Sequence, residues 1–150
     1  MNTAELSRVC RQVRRDIINM TANAGSGHPG GSLSVCEILS VIYLDQAVLY
    51  PQDPNRVDQD RVVLCKGHAA PMLYRVLAER GYFPLETRST LRQADSLLQG
   101  HPSLHTPGVD MPSGPLGIGL AAAQGIALGM QLKVLDNYVY AILGDGEIAE

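Results

Sequence analysis

Val139-Tyr140-Ala141-Ile142-Leu143-Gly144-Asp145-Gly146-Glu147 is the stretch on which the fold turns. A short apolar run that ends in a glycine-flanked carboxylate reads as a buried strand delivering an aspartate to a turn beside a charged ligand, where sites sit in open α/β sheets. A metal or phosphate site is therefore expected to begin at Asp145. The sequence reaches only Glu150, four residues past the turn, so that site is expected to be incomplete within these residues and to belong to a larger machine.

Immediately before the strand, Leu116 to Lys133 is rich in Ala and Leu and predicts a long helix. Gly117, Gly119, Gly125 and Gly129 each cost about 1 kcal/mol relative to Ala in a helix interior, and so point to close packing on a neighbour. Further back, Arg61-Val62-Val63-Leu64-Cys65 reads as a second short buried strand, capped by Lys66-Gly67-His68 and followed by a helix from Pro71 to Arg80. A Pro- and Asp-rich cluster from Pro51 to Asp60 precedes it. Leu85 to Leu98 is weakly helical, and Gln99 to Ser113 reads as an ordered, irregular loop.

At the N-terminus, Val9, Cys10, Val13, Ile17 and Met20 recur at helical spacing behind Asn2 and Glu5, which are placed as a capping box. Arg8, Arg11 and Arg15 form the opposite face of this helix, read as solvated. The glycine-rich segment Ala24 to Gly31 then leads to a second apolar helix over roughly Leu33 to Leu44, with Ser32 or Ser34 as its cap.

The length and composition suit one soluble domain or a large piece of one. Hydrophobic residues make up 45% of the chain but aromatics only 5%, with no Trp, so the core is expected to be aliphatic. A net charge of −3 gives no reason to expect nucleic acid or a membrane surface as partner. Cys10, Cys36 and Cys65 form no CxxC pair, which argues against a disulfide framework or zinc knuckle and for a reducing cytoplasm.

Three of the four histidines follow a glycine: Gly27-His28, Gly67-His68 and Gly100-His101. With 15 glycines in 150 residues a histidine follows one by chance about one time in ten, so the triplet points to a shared task. Each pair falls in a predicted loop, two of them ahead of a helix, where backbone N–H groups favour an anion. His105 is expected to be an ordinary surface histidine.

The ordered set Arg14, Ser26-Gly27-His28-Pro29-Gly30-Gly31-Ser32-Leu33-Ser34, Lys66-Gly67-His68-Ala69, Gln99-Gly100-His101-Pro102, Gly114-Pro115-Leu116-Gly117 and Gly144-Asp145-Gly146-Glu147 resembles the N-terminal part of transketolases, a thiamine diphosphate family. The Gly31-Ser32-Leu33-Ser34 ending is most similar to the N-terminal subunit of bacterial and archaeal enzymes split into two chains. The resemblance implies an α/β thiamine diphosphate-binding fold, with a parallel sheet flanked by helices and incomplete at the C-terminus. Residues 1–150 would be the N-terminal part of its diphosphate-binding domain, with no second domain.

It also implies roles. Asp145 would hold a magnesium or calcium ion on the cofactor's diphosphate. His68 would lie near the diphosphate, Gly146 would offer it a backbone N–H, and Gly114 and Leu116 would contact the aminopyrimidine through their backbone. His28 and His101 would line the substrate channel and act catalytically, donating to developing alkoxides and sugar hydroxyls. The reaction implied is transfer of a two-carbon ketol unit from a ketose phosphate to an aldose. A C-terminal part or subunit carrying the pyrimidine domain would complete it, in a homodimer or heterotetramer.

The sequence departs from the family at Ile118, where Gln is common, and Glu150 matches a subunit-interface Glu. A family Asn of the metal shell and the pyrimidine-activating Glu are not among these residues. The alternative reading is a non-catalytic assembly domain of the same fold. In isolation these residues are expected to be aggregation-prone or marginally folded.

Overall fold

The computed structural model describes all 150 residues. The chain opens with α1 (Thr3–Asn23). Its capping box is formed as the sequence predicts: Glu5 N–H donates to Asn2 Oδ1 at 2.9 Å, and Asn2 N–H donates to Glu5 Oε2 at 3.0 Å. Val9, Cys10, Val13, Ile17 and Met20 bury one stripe, while Arg8, Arg11 and Arg15 stay exposed.

The next segment differs from the single Leu33–Leu44 helix of the sequence reading. Helix formation starts earlier, with α2 (Pro29–Leu33), because Pro29 is preset for the first helical position and lacks only an N–H that a helix start leaves unused. The chain then breaks at Ser34 and Val35, the latter at φ −112°, and resumes as α3 (Cys36–Val41), which runs into a π-helical turn at Ile42–Gln46. Neither serine caps a helix N-terminus. Ser34 closes the C-terminal end of α2 and its Oγ donates to Gly31 O at 3.0 Å, whereas the Ser32 hydroxyl is buried without a partner.

β1 (Arg61–Leu64) and β2 (Val139–Ile142) pair in parallel, with Arg61 opposite Val139 and Leu64 opposite Ile142. A parallel pair needs a crossover, supplied here by α4 (Ala70–Arg80), the loops after it and α5 (Ile118–Leu132). Asp60 fixes where both strands begin. Its buried carboxylate accepts from Tyr138 N–H and from Val48 N–H, each at 2.8 Å.

α4 is the centre of the core, with every residue from Ala70 to Ala78 buried, and Gly81 ends it in the left-handed region at φ +98°. Among those residues is Arg75. Its Nε donates to Asp16 at 2.6 Å and its Nη1 to Glu79 at 2.7 Å, clamping α4 to α1. One cluster of 25 buried residues, including Val13, Ile17, Leu39, Tyr43, Tyr74 and Leu77, joins α1, α3, α4 and β1.

The segment after α4 holds a 3-10 turn at Leu85–Thr90 and then the irregular loop expected over residues 99–113. The glycines of α5 behave differently from the sequence reading. Gly119 does lie tight against Cys65, where an added methyl would stand 2.7 Å from Cα, but Gly125 and Gly129 meet nothing within 4 Å. The close approach that these two glycines permit is not used within this chain. No helix is long and apolar enough to cross a membrane, and the three cysteines are free and buried.

Candidate functional site

Because β1 and β2 end level, their following turns emerge side by side: Lys66-Gly67-His68 after β1, and Gly144-Asp145-Gly146-Glu147 after β2, where the short helix α6 (Asp145–Ile148) begins. Cys65 N–H still donates to Ile142 O at 2.9 Å, which carries the register one residue past the strand. Three other segments close on this point.

The α1–α2 loop brings His28 to His68, their rings edge to face with centroids 5.6 Å apart. Gly31 lies so close beneath His68 that an added methyl would stand 2.5 Å from its Cδ2 and Nε2. A larger residue there would push the imidazole aside. The 113–117 segment crosses β1's turn, where a methyl on Gly67 would meet Ser113 O at 2.5 Å. His101 reaches the same segment, its Cδ2 3.6 Å from where a Gly114 Cβ would be, and its carbonyl accepts from the Tyr74 hydroxyl at 2.9 Å.

Electrostatics follow from this crowding. Burial pushes His68 below the ordinary histidine pKa; Lys66 and His28 push in the same direction, and Glu147 opposes them. A neutral His68 near neutral pH can both donate and accept. Lys66 is held across the site, with Nζ donating to Ser34 Oγ at 3.0 Å and its side chain beside Gly144. Asp145 is exposed and makes no hydrogen bond or ion pair within the chain, so its oxygens are free for a hard cation.

The sequence matches the family described as "Transketolase, thiamine diphosphate binding domain" over residues 5–150. The chain belongs to the transketolase family. It is 41% identical to the 6-deoxy-6-sulfo-D-fructose transketolase subunit of Clostridium sp. strain MSTE9, over 97% of this chain and 54% of that protein. It is 38% identical to one of the subunits of the apulose-4-phosphate transketolase of Actinobacillus succinogenes, again over 97% of this chain and 54% of the relative. The crystal structure of the Campylobacter jejuni transketolase superposes with a TM-score of 0.91 at 34% identity, covering all of this chain and 25% of that one. The chain thus spans about half the length of these subunits and a quarter of the Campylobacter transketolase chain.

The site residues read from the sequence lie as follows. His28 and His101 are exposed, and His68, Gly114 and Gly146 are half-buried. Leu116 is exposed and its side chain covers Gly146, where an added methyl would lie 3.6 Å from Cδ2. His105 stands apart with Arg61 and Asp110 around a cavity of about 410 Å³. A cavity of about 430 Å³ between α1 and the Leu85–Thr90 turn also shares no residue with the histidines, which stand on an open face. Cys10, Cys36 and Glu37 form the one group that could gather on a metal elsewhere, yet Glu37 is taken by Arg14 at 2.6 Å and soft sulfurs do not suit magnesium.

The residues present fit a diphosphate and its cation. The buried hydroxyls of Ser32 and Ser113, in the segments that carry Gly31 and cross Gly67, have no partner in the chain, and Asp145 is exposed beside Gly146. Two residues that shape the surroundings of the site escaped the sequence reading, Lys66 and Glu147. Both lie inside quoted motifs, but nothing in a sequence marks that Glu147 is buried.

Proposed function

We propose that these residues are the diphosphate-side part of a transketolase, the N-terminal part of its diphosphate-binding domain. The whole enzyme would transfer a two-carbon ketol unit from a ketose phosphate to an aldose acceptor. The observation that carries this reading is the pairing of His28 with His68 at the level ends of two parallel strands, with His101 against the Gly114 segment that crosses the turn of His68. Thiamine diphosphate, when bound, supplies the electron sink for the two-carbon unit.

This chain's residues do the holding. Asp145 offers oxygen to a magnesium or calcium ion, and Gly146 and neutral His68 donate N–H groups to phosphate oxygens. Gly114 and Leu116 present backbone to the aminopyrimidine. His28 and His101, exposed on the open face, donate protons or hydrogen bonds to substrate oxygens as charge develops on them. A second chain or downstream part carrying the pyrimidine domain completes the site, as the naming of the split relatives as subunits supports. The three free buried thiols support a reducing compartment such as the cytoplasm.

The test is ketol transfer by the natural assembly carrying this chain, with His28→Ala and His101→Ala. Each variant is expected to lose about 10²–10⁴ in kcat/KM. Full transfer by both would remove the catalytic role given to these histidines. Cofactor binding with no transfer to any aldose phosphate would favour a non-catalytic assembly domain instead.

A further inference from the structure

Three carboxylates are buried in this chain, and two of them are well supplied with partners. Asp16 is paired with Arg75, and Asp60 accepts two backbone N–H groups. Glu147, 3% exposed, has no cation partner and a single hydrogen bond within the chain, from Gly117 N–H to Oε2 at 3.1 Å. Burying a carboxylate with so little compensation is costly, so its position needs a reason other than stability.

The hydrogen bond explains the position. Gly117 is the residue from which α5 springs, at φ +79°, a left-handed conformation that side-chain-bearing residues rarely adopt. A carboxylate at that point faces the positive end of a 15-residue helix. The same side chain belongs to the turn after β2 and lies close enough to His68 and Cys65 to raise the pKa of each. It is therefore hydrogen-bonded to the 114–117 loop, packed in the turn after β2, and near the turn after β1.

We propose that Glu147 is a positioning residue that ties the 114–117 loop to the Gly144–Glu147 turn, so that the two sides of the cofactor site are set relative to one another by one carboxylate. This rests on the reading that Gly114 and Leu116 face the pyrimidine while Asp145 and Gly146 face the diphosphate. The tie acts through hydrogen-bond acceptance by Oε2, and a neutral acceptor of the same length should serve.

The test compares Glu147→Ala with Glu147→Gln in the natural assembly, reading thiamine diphosphate affinity by calorimetric titration with magnesium, kcat at saturating cofactor, and the melting temperature without cofactor. Glu147→Ala is expected to weaken cofactor binding about tenfold, the upper end of the effect of losing one hydrogen bond. Its kcat at saturation should remain within about threefold of the parent, because no reacting atom is touched. Glu147→Gln should restore affinity to within about threefold. Should Glu147→Ala fail to fold, Glu147→Asp, which withdraws the carboxylate by one methylene, should show the same loss of affinity.

A melting temperature that falls while affinity stays at the parent level would overturn the proposal and leave Glu147 a purely structural residue. A Gln variant as weak as the Ala variant would also overturn it, since the charge and not the tie would then matter. An unsubstituted assembly that binds no thiamine diphosphate would overturn the cofactor reading itself, an outcome separable from the other two because it needs no variant.

Discussion

α4 and α5 are both apolar helices of the same crossover, yet α4 buries nine of its eleven residues and α5 only Gly119, Ala123 and Met130 of its fifteen. The difference lies in what surrounds them. α4 is wrapped by α1, α2, α3 and the 3-10 turn after it, within the 25-residue cluster, whereas α5 touches the sheet on one side through a second cluster of only three buried residues. Leu128, Leu132, Val134 and Tyr138 stand between 61% and 91% exposed on and just after its far side. A helix that is apolar all round is built to be covered on more than one face, so α5 and β2 form a layer waiting for neighbours while α4 already has its own. The lesson is that apolar composition tells how much burial a helix wants, and the contacts tell how much it has.

That contrast can be broken most forcefully at the clamp of the buried half. Arg75→Leu would leave buried Asp16 with Gln12 and only the longer contact to Arg88 Nε at 3.9 Å, and is expected to cost about 3 kcal/mol, read as a lowered denaturation midpoint with an unchanged slope. A loss below about 1 kcal/mol would mean that α1 and α4 do not form the rigid half described here.

A smaller effect tests the seam between the halves. His68 has a lowered pKa in the folded chain, so the unfolded chain takes up the proton first, and stability falls as pH drops through the ordinary histidine value of about 6.5. Lys66→Met should move the His68 titration upward, seen in the ring Cε1 resonance, and lessen that acid-side loss. Movement in the opposite direction, or none, would show that Lys66 does not face the ring.

The smallest expected effect lies on the open layer. Leu132→Ser, at a side chain 86% exposed, should change folding stability by no more than about 0.5 kcal/mol. It should nevertheless reduce self-association in light scattering, because an exposed apolar face and a free strand edge drive it. A large loss of stability would show that α5 is covered from within these residues after all.

The sequence made much of this legible, for reasons that differ by region. The α1 stripe and its capping box are local signals, periodic over 21 residues, and they are realised as read. The two strands were visible as short apolar runs closed by glycine-containing turns. The break at Ser34–Val35 was hidden because a continuous apolar stretch looks the same whether one helix or two carry it. Gly125 and Gly129 misled because glycine signals permission for close approach, and nothing in this chain takes it up. Of the site, the histidine triplet and Asp145 were marked by their glycine neighbours, while the burial of Glu147 and the reach of Lys66 arise from segments tens of residues apart.

Asp60 gives the molecule a ruler. By accepting from Tyr138 N–H it sets the zero from which β2 is counted, and four residues at about 3.3 Å each then decide how far Asp145 projects beside His68. A residue inserted before Tyr138 can bulge out behind that zero mark and leave the far end undisturbed. One inserted between Val139 and Ile142 would displace the Asp145 turn by a full step and reverse which face each following side chain presents. Tolerance to length change should therefore switch from permissive to forbidding across the single hydrogen bond from Tyr138 N–H to the Asp60 carboxylate.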